Sequence, residues 1–473
     1  MYDITFIDIP NKKVLIPDIC RHHYYRWRNA YEHIFKEVTK KEIIEKKYFY
    51  TPGLLCLGAY LRQNGYKPKY IHNVKDKQEI ERTISQTRFV GFSTTTVCLD
   101  DILEMAKYVK SANPKVQIIF GGYHTHYYAE ETLREHEFVD YVIVGEGEKT
   151  LLQLVGGENI ENIKGVFFRK GNEIVFNGYN SQLKPEEIPT PDYELLSGDL
   201  NEYNYNISTM RGCTGTCFYC VNNGYWGKPR QRPIDNVINE LKYLNDALGD
   251  GYYIHLTDNL FTYNKDRVIE LCNRINTAGI NLYFSCDTSA DLIDNEIVKA
   301  LESANVIRVC LGFEDADNNI LKISNKKVSY EDNVKASSII MENSQRMLVS
   351  AYWLLGLPGS SHDSMHHNIQ EIRRLIRDEI VHIVAPKIFI PYPGTPFFSN
   401  PDKFNIKIHS HVWSDYERYA FPPVFSAGEL SNNEIYSYLI LYYTTIVQEL
   451  AKKWELREDF LLGETAMKEK YYI

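Results

Sequence analysis

The feature that most constrains the fold is an alternation of strand and helix patterns that occurs twice along the 473-residue chain. In residues 1–155, short apolar runs alternate with stretches whose apolar residues recur at helical spacing. The connections are short, which is typical of a parallel sheet covered by helices on both faces. We therefore predict an α/β chain that begins with a doubly wound, Rossmann-like sheet.

Small and polar residues follow three predicted strands of this first domain. In open parallel sheets, ligands bind at the carboxyl ends of the strands. We therefore expect a ligand at this edge of the sheet. The residues that we expect to line it are Ser93, Thr94, Thr95, Gly121, Gly122, Gly145, Glu146 and Gly147.

Two segments interrupt or end the first pattern. Residues 11–50 form a long charged and aromatic insertion between the first strand and the first helix, and we expect a helical lid there. Residues 156–205 contain a short hairpin followed by a stretch rich in proline and acidic residues, which indicates a linker between domains.

The strand–helix pattern restarts in residues 206–396 with six units. Six units predict a partial (β/α)6 barrel, and the chemistry of β/α barrels lies at the C-terminal ends of their strands. Residues 397–473 have mostly helical patterns and are predicted to form a helical C-terminal region.

Composition restricts the class of partner and the compartment. Lys plus Arg number 53 against 62 Asp plus Glu, a net charge of −9, so no nucleic-acid partner is expected. The first residues lack the pattern of a signal peptide, and no apolar run reaches the ~18 residues of a membrane span. We expect a cytoplasmic protein, in which cysteines serve metal binding or packing rather than disulfides.

Three cysteines, Cys213, Cys217 and Cys220, follow the first strand of the second region. A structural zinc site needs four ligands, often as two C-x2-C pairs, and the chain has no second pair. Three thiolates leave one metal position open, which suits a cubane iron–sulfur cluster. Zinc completed by a distant histidine stays an alternative.

The segment CTGTCFYC resembles the C-x3-C-x-aromatic-C signature of radical S-adenosylmethionine (SAM) enzymes. The segments LTDNLFT, LGFEDADNNILKISNK, LLGLPGSS and PYPGTP resemble the later strand ends of that superfamily, in the same order. The resemblance implies a [4Fe-4S] cluster on the three cysteines and SAM on its fourth iron. Reductive cleavage of SAM would then give a 5′-deoxyadenosyl radical.

The same resemblance implies roles for single residues around SAM. Tyr219 matches the aromatic position that meets the adenine, Asp258 and Asn259 the methionine end, Glu314 the ribose, and Gly356 a close backbone approach. Many members carry a basic residue where this chain has Ser289. We therefore expect Arg308 or Lys387 to contact the SAM carboxylate.

The N-terminal segments TPGLLCLGAYLRQNGY, FSTTT, GGYHT and VDYVIVGEGEKTL are similar to the cobalamin-binding domain of one radical SAM subgroup. This similarity implies that the small residues at the sheet edge cradle cobalamin, with His124 or His126 as a candidate axial ligand. The D-x-H-x-x-G signature of cobalamin mutases is absent, which argues against a mutase.

The resemblance implies C-methylation of an unactivated carbon in a small metabolite or peptide, with electrons from an external donor such as flavodoxin or ferredoxin. Alternatives within the superfamily are a deoxygenase, dehydratase, cyclase or rearrangement enzyme. A tRNA methylthiotransferase would need a second cluster, for which Cys20, Cys56 and Cys98 are the available N-terminal cysteines. A non-catalytic cobalamin- or redox-responsive binding protein is the remaining alternative.

Overall fold

The computed structural model describes residues 1–9, 16–42, 46–72, 76–457 and 461. The chain divides into two compact units, and it enters each of them three times. Unit 1 comprises Met1–Lys12, Lys46–Asn204 and Gly224–Glu240; unit 2 comprises Lys13–Glu45, Tyr205–Asn223 and Leu241–Ile473. The first strand, β1 (Tyr2–Ile7), therefore lies in unit 1, whereas the first helix, α1 (Asp18–Thr39), lies in unit 2.

Unit 1 is built on a seven-stranded sheet in the order β2-β1-β3-β4-β5-β6-β7. The first five strands are parallel, and the last two add an antiparallel hairpin. The Rossmann-like prediction is therefore confirmed, and the hairpin expected in residues 156–205 extends this sheet. After β1, the strands are β2 (Pro68–Ile71), β3 (Thr87–Ser93), β4 (Gln117–Gly121), β5 (Tyr141–Ile143), β6 (Val166–Lys170) and β7 (Glu173–Phe176).

Helices of unit 1 pack on the sheet through apolar stripes. Helix α4, for example, buries Ile102, Ala106 and Val109 in the apolar core together with Val90 and Phe120 of the sheet. The helices are α2 (Pro52–Gln63), α3 (Lys77–Ile84), α4 (Leu99–Ala112), α5 (Tyr123–Tyr127), α6 (Ala129–Glu135) and α7 (Glu148–Val155).

Short elements and one longer helix follow the hairpin in sequence, and the first of them, β8, is the edge strand of the second sheet. They are β8 (Asn206–Ile207), β9 (Met210–Arg211), α8 (Asn222–Trp226), β10 (Arg230–Gln231) and α9 (Ile234–Leu248).

Unit 2 contains a six-stranded parallel sheet in the order β15-β14-β13-β12-β11-β8, which confirms the predicted partial barrel. Its further strands are β11 (Tyr253–Leu256), β12 (Tyr283–Thr288), β13 (Val306–Glu314), β14 (Leu348–Leu355) and β15 (Ile383–Ile388). The helices between them are α10 (Lys265–Thr277), α11 (Asn295–Ser303), α12 (Asn318–Ile323), α13 (Tyr330–Asn343) and α14 (His362–Arg377).

Helix α1 lies across the amino ends of the barrel strands. Trp27 donates a hydrogen bond to the carbonyl of Val384 at 2.9 Å, and the Phe35 ring packs on Tyr253 with centroids 5.7 Å apart. Both partners stand at or next to the first residue of a strand. The predicted helix in residues 11–50 is therefore present, and it closes the amino end of the barrel in unit 2.

The C-terminal region is less helical than predicted. It contains the short α15 (Pro396–Ser399), an antiparallel hairpin of β16 (Ile406–Ile408) and β17 (Phe425–Ala427), and the long α16 (Asn432–Lys453). Helix α16 begins with a capping box formed by Ser431 and Glu434 and packs against α1, α14 and β15. Among the described residues, no helix is long and apolar enough to cross a membrane.

Candidate functional site

The three-cysteine loop begins directly after β9. The backbone N–H of Gly215 donates to the Cys213 thiol at 3.2 Å, and a Cβ at Gly215 would lie 3.3 Å from that sulfur and 3.9 Å from the Cys217 sulfur. Glycine therefore lets the backbone pass close to two thiols. Burial raises the pKa of Cys213, so a metal that binds there must displace its proton.

A second loop, which follows α12, braces the cysteine loop. The backbone N–H of Phe218 donates to the Ser324 carbonyl at 3.0 Å. The side-chain amide of Asn325 donates to both the carbonyl and the hydroxyl of Thr216, at 2.8 Å each. These bonds hold the cysteine loop at the carboxyl side of the barrel, since α12 follows β13.

The donor set fits a cluster better than a single ion. Within the ranges that the structure describes, no group of three or more His, Cys, Asp or Glu side chains is close enough to hold one metal ion. In a cubane cluster each thiolate binds a different iron, so three ligands stand farther apart than those of one ion. The zinc alternative needs a fourth ligand within reach of the same ion, and it finds no support here.

Tyr219, Glu314 and Lys326 are brought together beside this loop. A carboxylate oxygen of Glu314 lies 3.2 Å from the Lys326 ammonium and accepts the Tyr219 hydroxyl at 3.4 Å. Glu314 has a positive φ of 63°, and a Cβ at Gly312 would lie 2.8 Å from the Lys326 ammonium. The charge of Lys326 also acts on Cys213 and opposes the rise of its pKa.

Lys326 is the functional candidate that sequence reasoning missed. Its signal was the basic pair in ISNKK, which lies inside a segment already matched to the superfamily. Arg308 and Lys387, the residues expected to contact the SAM carboxylate, lie on β13 and β15. Burial and the charges of Arg418 and Arg308 lower the pKa of Lys387. Their contact with SAM stays a prediction.

Asp258 and Asn259 have structural partners. The Asp258 carboxylate is buried and accepts the backbone N–H groups of Thr209 and Met210 at 2.7 and 3.0 Å and the Thr209 hydroxyl. It therefore fixes the strand that leads into the cysteine loop. Asn259 accepts a hydrogen bond from Asn222 at 2.8 Å. Their predicted contacts with SAM stay predictions, but the Asp258 oxygens are already occupied.

Gly356 has a positive φ of 79°, and a Cβ there would lie 3.0 Å from Ile435 and 3.2 Å from Phe425. The glycine is therefore explained by packing against the C-terminal region, without a ligand. Its approach to SAM stays a prediction.

In unit 1, the carboxyl ends of β3 and β4 are locked together. Ser93 pairs with Gly121 in the parallel register. The Thr94 backbone N–H and hydroxyl both donate to the Gly121 carbonyl, at 2.6 and 2.8 Å, and the hydroxyl lies 2.8 Å from that of Thr125. Thr94 is fully buried, so its hydroxyl organises the edge from inside.

Two glycines of this edge differ in the space around them. Gly122 has a φ of 104°, and a Cβ there would lie 2.6 Å from the Thr94 carbonyl oxygen. Gly145 has a φ of 75°, and no atom lies within 4 Å of the position of its Cβ. A cradle for a bulky ligand needs such open backbone, so Gly145 fits this use and Gly122 serves the close approach of two strand ends.

Glu146 is held by the chain itself. Its carboxylate forms a bidentate ion pair with Arg230, at 2.9 and 2.5 Å, and accepts the backbone N–H of Leu183 at 2.7 Å. The side chain keeps only 4% of its surface accessible. A contact of Glu146 with cobalamin stays a prediction, and the neighbouring Gly147 packs against Leu57.

The two histidines, His124 and His126, already form polar contacts within the chain. His124 is buried, its Nδ1 lies 3.2 Å from the Thr96 hydroxyl, and burial lowers its pKa to about 4. His126 accepts the backbone N–H of Gly145 at Nδ1, at 3.0 Å. Each side chain is thus neutral, as a metal ligand must be. An axial role for His124 stays a prediction.

Aromatic side chains of the segment that begins at Gly224 pack on the same edge. The Tyr225 ring lies tilted against the Tyr123 ring with centroids 4.4 Å apart, and its hydroxyl donates to the Gly145 carbonyl at 3.1 Å. Trp226 donates to the Tyr123 hydroxyl at 2.5 Å. Sequence reasoning missed this contribution because Tyr225 and Trp226 lie 80 and 103 residues from the partners that they contact, Gly145 and Tyr123.

Family models match both parts of the chain: the radical SAM superfamily over residues 207–372 and the B12 binding domain over residues 46–155. The chain therefore contains a radical SAM domain and a B12-binding domain. These domains imply a [4Fe-4S] cluster, SAM and cobalamin as cofactors. The resemblance of CTGTCFYC to radical SAM enzymes and of the N-terminal segments to a cobalamin-binding domain is confirmed.

Two curated relatives show the range of activities among similar chains. An uncharacterized methyltransferase from Pyrococcus horikoshii is 28% identical over 322 residues, which cover 65% of this chain and 67% of the relative. The anaerobic magnesium-protoporphyrin IX monomethyl ester cyclase of Cereibacter sphaeroides is 25% identical over 366 residues, which cover 72% and 57%. The match spans two thirds of the length of the first relative and little more than half of the second.

Two solved structures share the fold over nearly the whole chain. The radical SAM methyltransferase TsrM from Kitasatospora setae, with cobalamin and a [4Fe-4S] cluster bound, aligns with a TM-score of 0.69 at 14% identity and covers 94% of this chain and 89% of its own. The cobalamin-dependent enzyme OxsB, with aqua-cobalamin and SAM bound, aligns with a TM-score of 0.64 at 17% identity and covers 97% and 63%.

Proposed function

We propose that the chain is a cobalamin-dependent radical SAM methyltransferase that acts on a small molecule or peptide and receives electrons from an external donor such as flavodoxin or ferredoxin. The observation that supports it most is the cysteine loop braced by Ser324 and Asn325, with Lys326 and Glu314 beside it, in a chain that also carries a B12-binding domain.

The residues present would hold each group by ordinary chemistry. Cys213, Cys217 and Cys220 would ligate the cluster, which supplies the electron for SAM cleavage when bound. Lys326 would bind the SAM carboxylate as a charge-assisted partner, and Glu314 would both orient that ammonium and accept a ribose hydroxyl. Open backbone at Gly145 and the hydroxyl of Ser93 would line the cobalamin side of unit 1.

Relatives named as magnesium-protoporphyrin IX monomethyl ester cyclases support a radical reaction other than methyl transfer as the second candidate. Relatives named as methylthiotransferases are also similar to this chain. For that third activity, however, Cys98 is part of the apolar core of unit 1, and burial raises the pKa of Cys20 to about 12. Neither environment favours a thiolate ligand.

The test measures the conversion of SAM by anaerobically reconstituted protein in the absence of a methyl acceptor. The full chain would be loaded with cluster and hydroxocobalamin and incubated with SAM and dithionite, and three products would be quantified. Formation of both S-adenosylhomocysteine and 5′-deoxyadenosine supports methyl transfer, because the methyl donor and the radical source are then both in use. Formation of 5′-deoxyadenosine alone supports the cyclase-like candidate. Absence of methionine and of both nucleosides would leave the binding-protein alternative.

A further inference from the structure

A group of polar side chains lines the interior of the six-stranded sheet of unit 2, at positions that the cluster site does not use. We define the barrel chamber by His255, Asp287, Arg308, Tyr352 and Lys387, which come from five neighbouring strands. Strand β12 shows why they share one face. Ser285 and Asp287 both contact His255, whereas Cys286 between them is fully buried on the other face.

The chamber contains open space. His255 and Asp287 keep 28% and 33% of their side-chain surface accessible, although their strands lie inside the sheet. At the amino end of the strands, α1 provides a floor, where the Arg308 guanidinium lies 5.3 Å from the centre of the Tyr31 ring. Polar side chains that keep accessible surface above such a floor are suited to contacting a small molecule.

Hydrogen bonds fix most of the wall. Tyr352 donates to Asp287 at 3.3 Å, and the other Asp287 oxygen lies 3.6 Å from His255 Nε2. Arg308 donates to the Ser350 hydroxyl at 3.1 Å. Burial alone would raise the pKa of Asp287, but the hydrogen bond and charge of His255 and the charge of Arg308 outweigh it, so Asp287 stays ionised.

Lys387 differs from the other charged side chains of the chamber in its surroundings. Its ammonium lies 5.1 Å from the centre of the Tyr352 ring, and in the described part of the chain no carboxylate lies within ion-pair distance of it. Burial, followed by the charges of Arg418 and Arg308, lowers the pKa of Lys387 to about 8. An anion bound beside this buried ammonium would favour its charged form.

Arg418 adds a third cation at the carboxyl end of β15. It hydrogen-bonds Tyr392, which follows that strand. The carboxylate nearest in sequence, Glu417, accepts the backbone N–H of Arg418 at 2.8 Å, and burial raises its pKa. At this rim of the chamber, the cations Lys387, Arg308 and Arg418 outnumber the carboxylates of Asp287 and Glu417.

We propose that the barrel chamber binds an anionic group of the substrate, a carboxylate or a phosphate-class group, through Lys387, with Arg308 and Arg418 as further partners. The inference rests on the proposed function and specifies its substrate class. An anion between these side chains restores the charge balance that the chain itself leaves open. Because the proposed function assigns the SAM carboxylate to Lys326, beside the cysteine loop, Lys387 is not required for SAM binding.

The experiment measures anion binding by the cluster-loaded full chain, independently of turnover. Thermal midpoints are recorded against acetate in one series and methylphosphonate in another, with sodium chloride to match ionic strength. We expect a saturable rise with at least one probe, and the probe that gives it identifies the carboxylate or the phosphate class. In Lys387→Met the half-saturating concentration should rise at least tenfold, and in Arg418→Met also, whereas Arg418→Lys should retain most of the response.

The matched control is Lys407→Met, an exposed lysine of β16 in the same unit, which should respond to anions as the wild type does. A wild-type protein without a saturable response, or a Lys387→Met protein with an unchanged one, would overturn the proposal. Substrate-free 5′-deoxyadenosine formation separates the two hypotheses. If the wild type binds the probe but forms no 5′-deoxyadenosine, the proposed function fails and the chamber stands.

Discussion

The ammonium of Lys326 lies 3.2 Å from the Glu314 carboxylate, and this pair joins the end of β13 to the loop that follows α12. The same loop holds the cysteine motif through Ser324 and Asn325. One short segment of chain therefore supports the cluster ligands and places a cation next to them.

Replacing Lys326 by methionine should weaken SAM binding while the cluster remains. A charge-assisted hydrogen bond contributes about 1.5–3 kcal/mol, so the Kd for SAM should rise at least about tenfold. Equilibrium dialysis of labelled SAM against cluster-loaded protein measures it. Lys326→Arg should stay close to the wild type, and Lys327→Met, at an exposed neighbouring position, is the control. Equal affinities in Lys326→Met and the wild type would exclude the assigned role.

Cys217→Ala should abolish cluster absorbance near 400 nm and SAM cleavage, because two thiolates cannot replace three in holding the cluster. The far-ultraviolet circular dichroism should be unchanged, since Cys217 is only partly buried. Cys272→Ala, a buried cysteine of α10, is the matched control and should retain absorbance while losing about 1 kcal/mol of stability. Absorbance that persists in Cys217→Ala would refute the ligand assignment.

Gly122→Ala and Gly145→Ala should differ sharply in their effect on unit 1. Both glycines have a positive φ, which costs alanine about 1 kcal/mol, but only at Gly122 does the new Cβ meet backbone atoms, 2.6 Å from the Thr94 oxygen. Gly122→Ala should therefore lose at least about 2 kcal/mol more and bind less cobalamin per chain. Urea unfolding and the absorbance of bound hydroxocobalamin provide the two measurements. Similar losses in both variants would contradict the locked strand ends.

Asp315 should make stability fall as pH rises. It is fully buried, and burial raises its pKa from 3.8 to about 7, although Asn368 donates a hydrogen bond to it at 3.0 Å. Between these values the folded chain binds the proton more tightly than the unfolded chain does, so the free energy of unfolding decreases over this range. The difference corresponds to roughly 4 kcal/mol at most.

Urea midpoints between pH 4 and pH 8 give this slope for the wild type and for Asp315→Asn. The variant cannot ionise, so the part of the slope that belongs to Asp315 should disappear. Asp317→Asn is a useful control, because Asp317 is a half-buried helix cap two residues away. Identical slopes in Asp315→Asn and the wild type would show that this carboxyl does not carry the effect.

The sequence predicted both sheets because alternation of apolar runs and amphipathic helices is a local property. It also predicted the cysteine motif and Glu314 as site residues, and the structure brings Glu314 into contact with Tyr219 of that motif. It could not show that Thr94, Glu146 and Asp258 direct their polar atoms to the chain itself, since their partners lie 27 to 84 residues away. A residue at a strand end can serve a ligand or the fold, and only packing distinguishes the two.

The place of α1 was beyond sequence reasoning for a related reason. Its charged and aromatic pattern predicts a helix, but its apolar face is completed by distant partners. The Tyr24 ring packs on Tyr443 of α16 with centroids 5.9 Å apart, and His23 lies 3.0 Å from the Thr444 hydroxyl. Contacts over more than 400 positions leave no trace in local periodicity.

Helices α1 and α16 pack on each other but lie far apart in sequence. During synthesis, α1 therefore leaves the ribosome long before α16. The aromatic face of α1 is exposed in the nascent chain until α16 has been synthesised. Truncation has the same consequence. A fragment cut after Asn204 would retain α1 without α16, and a fragment that begins at Tyr205 would lack the floor of its barrel. We therefore expect neither fragment to fold stably on its own.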